Sequence, residues 1–244
     1  MNVSGHTILI TGGASGIGYA LAERFLAAGN DVIVCGRREA KLAEARAAHG
    51  ALHTHVCDVA DPAGREALVR WALAEFPKLD VLVNNAGIQN RIDLKSAPDW
   101  PVVHAEIVTN LEAHIHLAML MIPHLMKQRS AAIVNVTSGL AFVPRTAVPV
   151  YCATKAAMRS FTLSLRHQLA GSPVEVVEII PPAVNTDLGG PGLHTFGAPL
   201  GDFADSAFAQ LRDGKREATF GFSSEVARAS ADERDAIFER MNSQ

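Results

Sequence analysis

Thr7-Ile8-Leu9-Ile10-Thr11-Gly12-Gly13-Ala14-Ser15-Gly16-Ile17-Gly18 is the stretch that decides the fold of this 244-residue chain. Its first five residues are β-branched or apolar without alternation, as in a strand buried on both faces. The glycines that follow lie where a helix over Ile17 to Ala28 begins. A residue without Cβ lets the backbone turn tightly and come close to a pyrophosphate, whose charge then sits at the helix N-terminus. The spacing Gly-x3-Gly-x-Gly departs from the Gly-x-Gly-x-x-Gly dinucleotide fingerprint, and a glycine-rich turn can also be purely structural. The rest of the chain must decide between these readings.

Outward from this stretch, short apolar runs recur between longer helical patterns. Strands are predicted at Thr7 to Thr11, Asp31 to Cys35, Ala51 to Cys57, Asp80 to Asn84, Ala131 to Thr137 and Val174 to Ile180. Helices are predicted at Ile17 to Ala28, Glu39 to His49, Pro62 to Phe76, Val102 to Arg129 and Val150 to Ala170. Such alternation implies a parallel sheet with right-handed crossovers: an α/β fold of the Rossmann type, doubly wound, in three α/β/α layers. With 48% hydrophobic and 19% charged residues, the chain suits one large core, and a single domain over residues 1–244 is expected. Ala183 to Leu200 is rich in Gly and Pro, and residues 183–213 are expected to form a mobile region beside the substrate. A helix over Asp202 to Arg212, a strand over Ala218 to Phe222 and a terminal helix capped by Ser230 and Glu233 complete the prediction.

Composition narrows the class further. The formal net charge is -3 and the 22 Lys and Arg are scattered, so no basic footprint for nucleic acid is expected. The N-terminus lacks a basic stretch followed by an apolar run, and no apolar run approaches the roughly 18 residues of a membrane span, so a cytoplasmic protein without membrane attachment is expected. Cys35, Cys57 and Cys152 form no C-x-x-C pair, which suggests neither a disulfide framework nor zinc. His104, His114, His116 and His124 match no i, i+4 metal pair, and no metal site is expected.

The polar residues that stand out fall at the carboxyl ends of predicted strands. Asp58 closes the third, Asn84-Asn85-Ala86-Gly87 the fourth, Ser138 the fifth and Pro181-Pro182 the sixth. In an open parallel sheet that edge is the ligand crevice. Thirteen residues after Ser138 comes Tyr151-Cys152-Ala153-Thr154-Lys155, which puts Tyr151 and Lys155 one helical turn apart and able to face one ligand. A Tyr/Lys pair at this spacing is common on ordinary helices; joined to a serine at a strand end in the same crevice, it reads as a proton-transfer site. Cys152 projects about 100° away from Tyr151 and reads as a packing thiol.

Taken together, Thr11-Gly12-x3-Gly16-x-Gly18, Asp58, Asn84-Asn85-Ala86-Gly87, Asn110, Ser138, Tyr151-x3-Lys155 and Pro181-x2-Val184-x-Thr186 resemble the short-chain dehydrogenase/reductase family in order and spacing over nearly the whole chain. The length and the glycine gap resemble its compact branch, and Asn85 to Asn90, Pro123 to Gln128 and Thr137 to Phe142 resemble its DltE-like oxidoreductases. Two features depart from the family pattern: Pro182 stands where a glycine is usual, and the chain ends in a charged helix instead of a glycine-rich strand. The resemblance implies an NAD(P)-dependent oxidoreductase that moves a hydride between nicotinamide and an alcohol/carbonyl substrate. Tyr151 would be the acid/base, made more acidic by the Lys155 ammonium together with the oxidised nicotinamide ring. Lys155 would also hold the nicotinamide ribose, Ser138 the substrate oxygen, and Asn110 a water linking Lys155 to solvent. It further implies a cofactor-binding set of Gly12, Ser15, Gly16, Ile17, Gly18, Arg37, Asp58, Val59, Asn85, Ala86, Gly87, Tyr151, Lys155, Val184 and Thr186.

At the end of the second strand, Val34-Cys35-Gly36-Arg37-Arg38 has Gly36 where an NAD-preferring site places a carboxylate, followed by Arg37 as a ligand for a 2′-phosphate. NADP(H) is expected ahead of NAD(H), with Arg38 facing water. A homodimer or homotetramer is implied through the two long helices, with Met158, Phe161, Leu165 and Leu169 read as a surplus apolar stripe. The competing reading is a dinucleotide-binding sensor or scaffold without chemistry, which would have no need of the Tyr151 phenol. Gln89 to Asp93 and Ala183 to Leu200 are expected to shape the substrate pocket.

Overall fold

The computed structural model describes residues 2–243. Its single sheet holds β1 (Thr7–Thr11), β2 (Asp31–Gly36), β3 (His53–Val56), β4 (Leu79–Asn84), β5 (Ala131–Val136), β6 (Val174–Ile180) and β7 (Glu217–Thr219). The spatial order is β3-β2-β1-β4-β5-β6-β7, and each neighbouring pair runs parallel. The chain therefore winds outward first one way and then the other, with the switch between β1 and β4. Central strands β1, β4 and β5 carry almost unbroken apolar runs because both faces are covered.

The two cores follow from which helices cover which face. On one side α1 (Gly16–Ala27), α2 (Glu39–Ala48) and α7 (Leu200–Arg212) bring Leu21, Phe25, Leu42, Phe203 and Leu211 onto the sheet. On the other, α3 (Pro62–Glu75), α5 (Ala113–Leu125) and α6 (Pro149–Gln168) bring Leu68, Leu117, Met121 and Leu165. This doubly wound, three-layer arrangement is the predicted one.

Several elements differ from expectation. The long helix predicted over Val102 to Arg129 is α4 (Trp100–Ile107), a π-helical turn at Val108–Glu112 and then α5. Periodicity gives no sign of the extra residue in that turn, a feature that occurs often at functional sites. The predicted strand Ala218 to Phe222 stops at Thr219. Gly221 there adopts φ 53°, a left-handed conformation suited to glycine, and starts the unforeseen α8 (Phe222–Arg228). The terminal helix α9 (Ala231–Asn242) has the expected capping box of Ser230 and Glu233. Together α8 and α9 form a small core in which Val226 and Ile237 pack on Val143. Asn242 accepts from the Thr146 N–H at 2.8 Å and donates to the Pro144 carbonyl at 3.1 Å, tying the chain end to the segment before α6.

Within 183–213, Val184 bridges to Ala198, and α7 buries Phe203, Ala204 and Leu211. Residues between the two sides of that bridge form successive turns. No helix among the described residues is long and apolar enough to cross a membrane.

Candidate active site

The glycine loop is built by backbone contact. Thr11 Oγ1 accepts from the N–H groups of Asn85 and Ala86, both at 3.0 Å, and the Asn85 amide donates back to the Thr11 carbonyl at 2.8 Å. These bonds fasten the end of β1 to the end of β4. Gly12 adopts φ +64°, and a Cβ on it would lie 2.9 Å from Ala86 Cα; a Cβ on Gly18 would lie 2.3 Å from Asn85 Nδ2. Any side chain at either position would fill the space and unseat the turn. Thr186, from the segment after β6, reaches the same loop, 3.6 Å from where a Gly16 Cβ would stand. The cradle between these backbones and the start of α1 fits a pyrophosphate, which needs close N–H groups and no intervening side chain.

Around this cradle the predicted cofactor residues take distinct places. Gly12, Ser15, Gly16, Ile17 and Gly18 line the turn into α1, with Ser15 just before its first residue. Arg38 does not simply face water, as expected, but donates from Nη2 to Ser15 Oγ at 2.7 Å, joining the end of β2 to the glycine loop. Arg37 is exposed beside it. Asp58 is exposed and accepts from the Ala60 N–H at 2.9 Å; α3 is capped by Asp61, whose carboxylate accepts from the N–H groups of Ala63 and Gly64. Val59 is buried. Its carbonyl accepts from the buried Arg65, whose guanidinium also donates to Glu112 and His116.

The proton-transfer residues gather at the carboxyl end of β5. Ser138 follows the strand and caps a short turn, its Oγ accepting from the Leu140 N–H at 3.1 Å. Tyr151 and Lys155 come from the first two turns of α6, both buried, with Lys155 Nζ 5.6 Å from the Tyr151 ring centre. Nζ donates to the Val136 carbonyl at 2.8 Å, which anchors the lysine at the end of β5. Burial pulls the Lys155 ammonium down to about 8. Burial also pushes the Tyr151 phenol up, while the Ser138 hydroxyl works in the opposite direction. The protein alone therefore holds Tyr151 as a phenol, because desolvation of a phenolate outweighs the other influences.

Asn110 sits in the π-helical turn with no exposed surface. Its amide grips Ile88 twice, accepting from the Ile88 N–H at 2.9 Å and donating to the Ile88 carbonyl at 2.8 Å. The side chain thus holds the segment after β4 in place. Gly87 packs between Asn110 and Lys155, since a Cβ there would meet Asn110 Oδ1 at 3.4 Å and Lys155 Nζ at 3.9 Å. Cys152 is a packing thiol that accepts from the Arg145 N–H.

Some site residues escape the sequence reading. Glu106 and His114 flank Asn110 one turn to either side and are equally buried. Burial lowers the His114 imidazole to about 3 and keeps it neutral. Glu178, buried on β6, accepts from Thr137 Oγ1 and from Arg159 of α6, both at 2.6 Å. That network braces the residue before Ser138 against the helix that carries Tyr151. No single position announces these pairs, because each joins residues far apart in the chain. Of the stripe, Met158 and Leu165 are buried, while Phe161 and Leu169 are half-buried against the core; Leu163 is the exposed large apolar residue of α6.

A model of the short chain dehydrogenase family matches residues 6–193. The chain belongs to that family, an oxidoreductase class whose fold it shares. The uncharacterized oxidoreductase DltE of Bacillus subtilis is 49% identical over 250 residues, spanning 100% of this chain and 99% of its own. The NADP-dependent 3-hydroxy acid dehydrogenase YdfG of Escherichia coli K12 is 33% identical over 178 residues, 71% of each chain. Among solved structures, a short-chain dehydrogenase from Burkholderia cenocepacia in complex with NADP superposes with a TM-score of 0.84 at 23% identity, covering 99% of both chains. One from Sphingobium yanoikuyae in complex with NADPH gives 0.80 at 26% identity, covering 95% of this chain and 92% of its own.

Proposed function

We propose that this chain reduces a ketone or aldehyde to an alcohol, or runs the reverse reaction, with NADP(H) preferred over NAD(H). The observation that carries the reading is the meeting of a side-chain-free cradle and the buried Ser138, Tyr151 and Lys155 along one edge of the sheet. When bound, the nicotinamide supplies or accepts the hydride. Gly12, Ser15, Gly16, Ile17 and Gly18 would hold the pyrophosphate, Asp58, Val59, Asn85, Ala86 and Gly87 the adenosine side, and Tyr151, Lys155, Val184 and Thr186 the nicotinamide side. Arg37 would hold a 2′-phosphate, and the Arg38–Ser15 contact places a second cation nearby. Two structural relatives carry NADP or NADPH and a third carries NADH, so the preference rests on Gly36 and Arg37 of this chain.

The protein's own work is binding, orientation and proton transfer. Tyr151, kept protonated by burial, gives its proton to the carbonyl oxygen as negative charge develops there. Ser138 donates to the same oxygen, a contribution of about 3 kcal/mol by analogy with oxyanion sites. Lys155 stabilises the phenolate that remains, and Asn110 keeps the Gly87–Ile88 wall in register. A sensor or scaffold would gain nothing from burying these polar groups, whose desolvation is costly.

The turns between Asn185 and Gly197 would close over the nicotinamide, and slower proteolysis there with NADPH and substrate reads this out. A homodimer or homotetramer would use the exposed Met119 of α5, Met126 at its end and Leu163 of α6, which gel filtration checks. The three buried, unpaired cysteines suit a cytoplasmic setting. A panel of ketones, aldehydes and secondary alcohols assayed with NADPH and NADH tests the reading directly. Turnover of carbonyls with NADPH is expected; cofactor binding without turnover of any member would favour the sensor.

A further inference from the structure

Two glutamates among the described residues have no exposed surface, Glu106 and Glu178. Glu178 is answered by the Arg159 guanidinium. Glu106, on α4, pairs with no cation among the described residues; its partners are the Asn90 backbone N–H at 3.3 Å and the Asn90 side-chain amide at 3.2 Å, one on each carboxylate oxygen. An uncompensated buried carboxylate is expensive, so an acid at a helix position that packing alone would fill with an apolar residue needs another reason.

Position supplies that reason. Asn90 lies two residues beyond Ile88, which Asn110 grips from the same helical run one turn later. The Gln89 carbonyl touches the turns after β6, 3.0 Å from where a Gly189 Cβ would stand. Helix α4, which carries Glu106, packs directly on α6, which carries Tyr151 and Cys152. The clasp therefore sits in the wall between the proton donor and the segment that would close over substrate. A carboxylate can only accept hydrogen bonds, so it takes the NH₂ end of the Asn90 amide and leaves Oδ1 free, with no partner among the described residues.

We infer that Glu106 is a positioning residue that takes both N–H donors of Asn90, fixing the substrate-side wall and presenting Asn90 Oδ1 as an acceptor that selects carbonyl compounds bearing a hydroxyl or amino donor beside the reacting carbon. This rests on the reductase reading above.

Swapping the two chemistries tests it. In Glu106→Gln the new amide keeps one carbonyl oxygen for the Asn90 backbone N–H, but its nitrogen must face an acceptor, so the Asn90 amide turns over and offers NH₂ in place of Oδ1. In the double variant Glu106→Gln with Asn90→Asp, the introduced amide donates to the introduced carboxylate, whose second oxygen is again a free acceptor. The ratio of kcat/KM for 1-hydroxy-2-butanone over 2-butanone, both with NADPH, should fall by about 2- to 10-fold in the single variant, the range of one hydrogen bond. The double variant should recover at least half of that loss, while the NADPH Kd stays within about 2-fold throughout. Hydrogen exchange of the residue-90 backbone amide should be slow in wild type and in Glu106→Gln, and should lose its protection in Glu106→Ala, which leaves no acceptor. An unchanged ratio in the single variant, a double variant no better than the single, or unchanged exchange in Glu106→Ala overturns the inference. If wild type reduces neither ketone and exchange follows the stated order, the clasp stands and the substrate assignment falls with the reductase reading.

Discussion

The two halves of the sheet edge are built from different materials. At β1 and β4 the cradle is made of backbone: Gly12 and Gly18 are defined by the side chain they lack, and Thr11 and Asn85 pin the turn through main-chain groups. Beyond β4 and along β5 and β6 the site is made of buried polar side chains, with Glu106 clasping Asn90 and Asn110 holding Ile88 after β4, and Arg159 and Thr137 satisfying Glu178 on β6. A backbone site tolerates no added atom. A side-chain site tolerates exchange provided each buried donor and acceptor keeps a partner.

The sharpest break in this comparison is Gly18→Ala. Its methyl would stand 2.3 Å from Asn85 Nδ2 and 2.6 Å from the Gly12 carbonyl, so the turn must open. NADPH affinity should fall more than about 100-fold, equivalent to roughly 2.7 kcal/mol or more, in a titration of NADPH fluorescence. On the other half, Arg159→Met should act through stability. Glu178 would keep a buried charge without its guanidinium, a loss of about 3–5 kcal/mol, visible as a Tm lowered by about 10 °C. Glu178→Gln placed in that background should recover part of the loss by removing the orphaned charge.

Smaller effects sharpen the same contrast. Gly36→Asp meets no atom within 4 Å of its new Cβ, so it should alter charge alone and shift the ratio of kcat/KM for NADPH over NADH by about 10- to 100-fold toward NADH. Arg37→Ala should weaken NADPH use more than NADH use; equal effects on both would remove Arg37 from the phosphate site. Lys155 gives the pH dependence. Its folded pKa of about 8 lies below the ordinary 10.5, so the charged form is disfavoured by folding. The cost is fully present below pH 8 and fades as pH rises to 10.5, so wild type should gain stability across that window and Lys155→Met should not. Activity should run the other way, with kcat/KM for reduction declining above about pH 8 as the ammonium is lost.

The contrast also explains what can be read from the sequence. Glycine loops, strand ends and Tyr151-x3-Lys155 leave local patterns, because a turn that excludes Cβ or two side chains one turn apart are fixed by spacing. The parallel sheet and both helical layers follow from the alternation of apolar runs. Glu106–Asn90 and Glu178–Arg159 leave none, since each pair joins elements that meet only after the sheet has formed. The π-helical turn at Asn110 is hidden for a related reason: one extra residue shifts the register without changing the composition. The contact of Arg38 with Ser15 is equally hidden, because it depends on how β2 lies against the start of α1.

Tyr151→Phe bears most directly on the proposed chemistry. The ring should pack as before in its buried site, so the NADPH Kd should stay within about 2-fold of wild type. With the proton donor gone, kcat for carbonyl reduction, followed by NADPH absorbance, should fall by about 10²- to 10⁴-fold. A variant that keeps wild-type turnover, or that loses cofactor affinity in step with kcat, would contradict the assignment of Tyr151 as the acid.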